Sequence, residues 1–375
     1  MLAVISLFLP ECLRSAPTEL IIDIQYILQQ SLQEKNGRTN LPRISVLGCG
    51  RIGRMHANNI ASHPRADLAG VFDVHDPSAE EISQKHGVTK FASADEAIVA
   101  EDVDAVLIAT PTSTHVDLLE ACVNAGKPVL CEKPIDLSLP RVNALKERIA
   151  GMDVPIMLGF VRRFDPGHAA CQKARAEGEI GELHQVTITS RDPGMAPDDY
   201  IKTSGGIFRD MTIHDLDLAR FMLGEEVTEV SATGSRLVDP ALMDECDDFD
   251  TVVVTMKTAS GKQAIITNSR EAVYGYDQRV ELLGSKGMVI SDNHHNHNMR
   301  KFSATETNVS AALQHFFIER YGAAFNIEID HFVDAIETGA PVPVGFEDGR
   351  LALLLADACF MSVAEGRVVK TSELE

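Results

Sequence analysis

The chain has 375 residues, 45% hydrophobic and 24% charged, with no tryptophan, the composition of a globular protein long enough for two cores. Lysine and arginine total 34 against 55 acidic residues, a formal net charge of -21. A surface this acidic repels phosphate backbones and anionic lipid, so no nucleic-acid or membrane partner is expected. Seven cysteines without a CxxC pair support neither a disulfide framework nor a zinc knuckle, and suit a reducing cytoplasm.

Met1 to Pro10 is apolar but lacks the basic flank and clean small-residue site of a signal peptide. Residues 18–34 place Leu20, Ile21, Ile24, Ile27, Leu28 and Leu32 near helical spacing, and Glu34 to Asn40 reads as a linker. Residues 1–41 are therefore taken as an extension, disordered or from a mis-assigned start. From Arg43 the pattern is regular. Strands are expected at 44–47, 68–72, 105–109 and 128–131, with helices at 52–62, 79–86, 95–100 and 114–125. Short apolar strands alternating with helices indicate a doubly wound parallel sheet, a Rossmann-like domain over 42–158.

After Gly159 the strands lengthen and partly alternate: 183–190, 227–236, 251–258, 262–270 and 279–283. Turns at Ala259–Lys262 and Gly284–Gly287 make hairpins. Helices are expected from 207, over 316–338 and over 348–365. The fold class is thus α/β: a Rossmann domain, then a C-terminal α+β domain over 159–375 on a large, mostly antiparallel sheet with one open face. β-branched residues on that face predict self-association.

Gly48-Cys49-Gly50-Arg51-Ile52-Gly53 matches G-x-G-x-x-G, and it follows an apolar strand and opens a helix, the context a dinucleotide loop requires. The glycines permit a tight turn and close approach of a pyrophosphate to the helix N-terminus. Asp73 ends the second strand, about 20 residues on, where it would accept hydrogen bonds from ribose hydroxyls. No Lys or Arg follows in Val74-His75-Asp76, which favours NAD over NADP. Lys133, in Cys131-Glu132-Lys133-Pro134, follows the strand at 128–131, so its ammonium projects where ligands bind open parallel sheets and can stabilise a developing alkoxide.

Asp210, His214 and Asp217 fall at i, i+4 and i+7, on one face if the helix from 207 is regular. A histidine between carboxylates is a suitable general base near neutral pH. Chelation of a metal, or a plain helix–sheet contact, are the competing readings. Asp292-Asn293-His294-His295-Asn296-His297 is dense in histidine but reads as a mobile polar loop, and no metal is expected.

Taken together, these motifs resemble the Gfo/Idh/MocA oxidoreductases over residues 42–375, and within that family the inositol 2-dehydrogenases. Gly159-Phe160-Val161-Arg162-Arg163-Phe164-Asp165-Pro166 and Tyr274-Gly275-Tyr276-Asp277-Gln278-Arg279 add to the likeness. The resemblance implies that Lys133, Asp210 and His214 are the catalytic group, with Asp210 orienting His214. It implies substrate contacts from Arg163, Asp192, Asp217 and Tyr274. Cofactor contacts are expected from Gly48, Gly50, Arg51, Ile52, Gly53, Asp73, Thr110, Glu132 and Lys133. The implied activity is NAD-dependent oxidation of a secondary alcohol of a neutral cyclic polyol, myo-inositol, by a cytoplasmic homotetramer. The alternatives are another sugar or inositol isomer, redox-neutral isomerase or lyase chemistry, and a non-catalytic NAD-binding regulator.

Overall fold

The computed structural model describes residues 41–374; the helix expected at 18–34 lies outside them. Six strands form the first sheet: β1 Arg43–Leu47, β2 Asp67–Phe72, β3 Thr89–Lys90, β4 Ala105–Ile108, β5 Val129–Cys131 and β6 Ile156–Leu158. Every pairing is parallel and the order is β3-β2-β1-β4-β5-β6, the doubly wound order with its switch point between β1 and β4. Ile44, Val46, Leu47, Val106, Leu107 and Ile108 are all buried, as strands covered on both faces require. The connecting helices are α1 Arg51–Ser62, α2 Asp76–His86, α3 Ala94–Val99, α4 His115–Asn124 and α5 Leu139–Arg148. The last was not foreseen, because its exposed face is charged and its apolar stripe is thin.

Past β6 come a 3-10 turn at Val161–Phe164 and α6 Pro166–Ala176, whose N-terminus is capped by the Asp165 carboxylate on the amides of Gly167 and His168. The second sheet follows: β7 Leu183–Arg191, β8 Val227–Ser235, β9 Thr251–Thr258, β10 Gln263–Ser269, β11 Asp277–Gly284 and β12 Gly287–Ser291. A small ribbon pairs β13 Arg300–Lys301 with β14 Val309–Ser310, and β15 Val369–Lys370 completes the large sheet in the order β12-β11-β7-β10-β9-β8-β15. Both expected hairpins form, β9–β10 and β11–β12. One pair, β7 with β10, is parallel; the long excursion between them lets β10 enter from the same end. Along β9 buried Val252, Val254 and Met256 alternate with exposed Val253, Thr255 and Lys257, so one face packs and the other is open.

That excursion carries α7 Asp198–Ile201, α8 Ile213–Leu223 and α9 Pro240–Cys246. The helix expected from 207 begins as a π turn over Phe208–Thr212 before α8, a widening often found at functional sites. The run expected at 316–338 divides into α10 Phe317–Arg320 and α11 Gly322–Thr338, and α12 Phe346–Glu365 closes the core. The chain also returns to the first sheet: the amide of Leu158 donates to Val344 O at 3.0 Å.

Candidate active site

The glycine loop fits a dinucleotide. Gly48 has φ +94°, and a Cβ there would lie 2.5 Å from Ala109 O. A Cβ on Gly53 would meet Gly48 O, whereas one on Gly50 would meet nothing within 4 Å. Gly48 and Gly53 thus close strand against helix, while Gly50 faces open space. No side chain caps α1, which leaves the first-turn amides of Arg51, Ile52 and Gly53 open to an anion. Asp73 accepts from Cys49 N at 2.6 Å and His75 N at 2.7 Å, so its carboxylate is fixed beside the loop and keeps lone pairs for a diol.

Thr110 and Lys133 leave the ends of β4 and β5, and a residue unforeseen in the sequence ties them together. The buried ring of His115 reaches Thr110 O at 2.9 Å and Pro134 O at 2.8 Å. The Lys133–Pro134 bond is cis. Lys133 Nζ donates to Asp210 O at 2.9 Å, which joins the end of the first sheet to the π turn. Glu132 Oε1 lies 2.9 Å from His56 Nε2.

Asp210 and His214 come together with Lys133, but not as a carboxylate–imidazole pair. The Asp210 carboxylate accepts from Tyr200 Oη at 2.6 Å and from Arg270 at 3.0 Å. The Nδ1 of His214 is buried without a hydrogen bond, leaving Nε2 as the nitrogen available to the cleft. The ring stands edge-on to Phe160 at 6.1 Å. Burial pushes His214 well below its ordinary value, and the Lys133 and Arg162 cations push the same way, so the ring is neutral and able to accept a proton. Burial also lowers Lys133, against the pull of Asp210 and Glu132.

Asp192 belongs to the same cluster. Burial pushes its carboxyl up to about 7, Arg162 opposes, and the Asp210 charge adds to the rise. Arg163 and Asp217 do not join it. Arg163 is buried and donates to Asp217 at 2.7 Å through Nε, to Asp348 at 2.9 Å and to Pro343 O, with its guanidinium over Phe221. The π turn shifts the phase of Asp210 relative to the regular helix that carries His214 and Asp217, and the Asp217 carboxylate is taken up by Arg163. The neighbouring residues stand nearer instead: Arg162 pairs with buried Asp215, which also accepts from Asn268 at 2.8 Å. Tyr274 is half-exposed, and its hydroxyl is engaged by Arg191 at 2.7 Å and Asp277 at 2.6 Å.

Tyr200, Arg270, Arg162 and Asp215 were missed by sequence reasoning. Arg162 and Asp215 each adjoin a residue that was singled out; Tyr200 and Arg270 had no local signal. In the histidine-rich loop His295 Nδ1 bonds Ala311 O, and Gln314 N donates to His294 O. No metal-binding cluster occurs among the described residues.

A dinucleotide loop together with a half-buried lysine and a neutral histidine defines an oxidoreductase class. The chain belongs to the GFO/IDH/MocA oxidoreductase family: residues 42–160 match its NAD-binding Rossmann fold and 168–290 its C-terminal domain. It is 48% identical to an inositol 2-dehydrogenase of Rhizobium meliloti over 87% of this chain and 98% of that one. It is 43% identical to a myo-inositol 2-dehydrogenase of Thermotoga maritima over 88% and 99%. A crystal structure of scyllo-inositol dehydrogenase from Lactobacillus casei, with bound NAD(H) and scyllo-inositol, superposes with a TM-score of 0.82 at 29% identity, covering 89% of this chain and 100% of that one.

Two outcomes test this geometry. Asp217→Ala, which leaves Arg163 short of a partner, should cost about 3–5 kcal/mol in thermal unfolding. An Arg163→Met/Asp217→Leu double variant should recover most of it with KM unchanged; a raised KM would return the pair to the substrate. Asp192 holds its proton to a higher pH folded than unfolded, so its contribution to stability is present below about pH 4 and lost by about pH 7. Asp192→Asn should therefore gain on the parent across that range and level off above it; a constant difference would mean that Asp192 ionises normally.

Proposed function

We propose that the protein oxidises a secondary ring alcohol of a neutral cyclic polyol, myo-inositol, to 2-keto-myo-inositol. The observation that carries the chemistry is the meeting of Lys133 Nζ with the turn that presents His214, beyond the end of β5. Substrate identity rests on the inositol dehydrogenases to which the chain is similar. Bound NAD supplies the hydride acceptor. Gly48, Gly50, Arg51, Ile52 and Gly53 would hold its pyrophosphate, Asp73 its ribose, and Thr110, Glu132 and Lys133 its nicotinamide end.

His214, neutral in its buried setting, takes the hydroxyl proton at Nε2. Lys133 donates to the same oxygen and stabilises its alkoxide character. Asp210 acts through its backbone, holding Lys133, while Tyr200 and Arg270 fix its carboxylate. Asp192 is the carboxyl suited to bind a neighbouring hydroxyl. Residues 42–158 serve the cofactor and 159–375 the substrate and self-association.

A panel of cyclic polyols followed by NADH absorbance should give stoichiometric NADH with myo-inositol among the best substrates. His214→Ala should lose about 10²–10⁴-fold in kcat with NADH binding retained. Undiminished turnover in that variant would sink the proton-acceptor role. Turnover without net NADH would instead identify a redox-neutral cycle.

The protein is further assigned as a cytoplasmic homotetramer built on the open sheet face. Val253, Leu283, Met288 and Ile290 are each at least 41% exposed there, an apolar surface that favours a second copy. Light scattering at micromolar concentration should return four chains, and a monomer would refute the assembly.

A further inference from the structure

A second polar cluster lies where α1 packs on α11, next to Glu132. Glu328, on α11, is wholly buried, and neither carboxyl oxygen has a hydrogen-bond partner. His56, on α1, is equally buried; its Nε2 meets the Glu132 carboxylate at 2.9 Å, and its Nδ1 has no partner. Phe325, one turn before Glu328 and on the same helix face, stands edge-on to the His56 ring at 5.6 Å. Gly159 makes room for Glu132: a Cβ there would lie 3.0 Å from Glu132 Oε2.

The unmatched atoms are complementary. A carboxylate only accepts, so His56 Nε2 carries the hydrogen toward Glu132, and in a neutral ring Nδ1 then presents a lone pair. That lone pair lacks a donor. Burial pushes the Glu328 carboxyl well above its ordinary value, and the Glu132 charge pushes the same way, so Glu328 keeps a proton and is a donor without an acceptor. An uncharged acid also suits a wholly buried position better than a lone carboxylate.

We propose that Glu328 is a positioning residue for the oxidoreductase reaction: its O–H group, through one enclosed water, donates to His56 Nδ1 and so locks the tautomer whose Nε2–H holds Glu132 beside Lys133. A polar chain of this kind supplies the partners that each buried group otherwise lacks. It aims the Glu132 carboxylate at the cofactor end of the cleft without touching substrate. The inference rests on the assignment of Glu132 to the cofactor side, so the test separates the two.

NADH affinity, measured by fluorescence without any polyol, is compared across four proteins. Glu132→Ala should bind NADH weakly; binding equal to the parent would overturn the role of Glu132 and this proposal with it. Glu328→Leu should weaken NADH binding about 3- to 10-fold, the range expected for one lost hydrogen bond, with no fall in thermal midpoint. Glu328→Gln, which still donates, should stay within about two-fold of the parent. A Leu variant equal to the parent while Glu132→Ala is impaired would overturn the chain, as would a Gln variant as impaired as Leu. Nitrogen-15 spectra of parental His56 decide it independently of folding of the variants: hydrogen on Nε2 alone is expected, and hydrogen on Nδ1 would refute the proposal.

Discussion

A charge taken out of water must find a partner or give up its charge, and the cleft is arranged by that constraint. Arg162 is buried against Asp215, Arg270 bridges Asp210 and Asp248, and Arg163 is bound between Asp217 and Asp348. Each cation is matched by a carboxylate except Lys133, whose one hydrogen bond is to a backbone carbonyl. A carbonyl orients an ammonium without neutralising it, which leaves the lysine charge available to an oxygen that becomes negative during reaction. His214 satisfies the same constraint in the other direction. Two cations face it and no carboxylate hydrogen-bonds it, so it stays uncharged and keeps a lone pair free, at the cost of some basicity.

The sheet explains why Lys133 could be found from sequence and its partners could not. Apolar runs such as Ile44–Leu47 and Ala105–Ile108 announce buried parallel strands, and such a sheet has one ligand-binding edge. Any residue just past β5 is therefore near the cofactor, whatever the rest of the chain does. Glycine spacing and Asp73 are equally local signals. Arg162 and Arg163 differ only in which side of a 3-10 turn they occupy, and no periodicity in the sequence chooses between them. Asp215 and Asp217 are separated by the phase of a helix that starts with a π turn. Counting i, i+4 and i+7 from Asp210 assumes a regular helix, whereas Asp210 sits within the π turn and the other two follow it, so the count does not fix how Asp210 faces them.

Tyr200 and Arg270 were illegible for a different reason. They lie 10 and 60 residues from Asp210 and meet it only because the excursion between β7 and β10 folds back over the end of the sheet. The parallel β7–β10 pair is part of the same geometry: it brings the ends of Arg191 and Ser269 into register, so that Asp192 and Arg270 leave neighbouring strands side by side. A strictly antiparallel sheet would have put those two residues at opposite ends. The unforeseen strand direction is thus what brings Asp192 and Arg270 together at the cleft.

The two halves of the site consequently carry different kinds of precision. On the first sheet, the segment from Glu132 to Pro134 is held at three points: Glu132 by His56, Lys133 by Asp210 O, and Pro134 O by His115. All three contacts come from elements far apart in sequence, so no single loop motion releases the lysine. On the second sheet, Asp192 has no side-chain partner of comparable strength; it is held by its backbone, donating to Ser269 O and accepting from Ala272 N. A rigidly pegged lysine suits chemistry that is the same for every ring alcohol. In the function proposed above, a carboxyl left free of internal hydrogen bonds suits the task that differs between isomers, where the pattern of neighbouring hydroxyls must be read by groups still able to exchange partners.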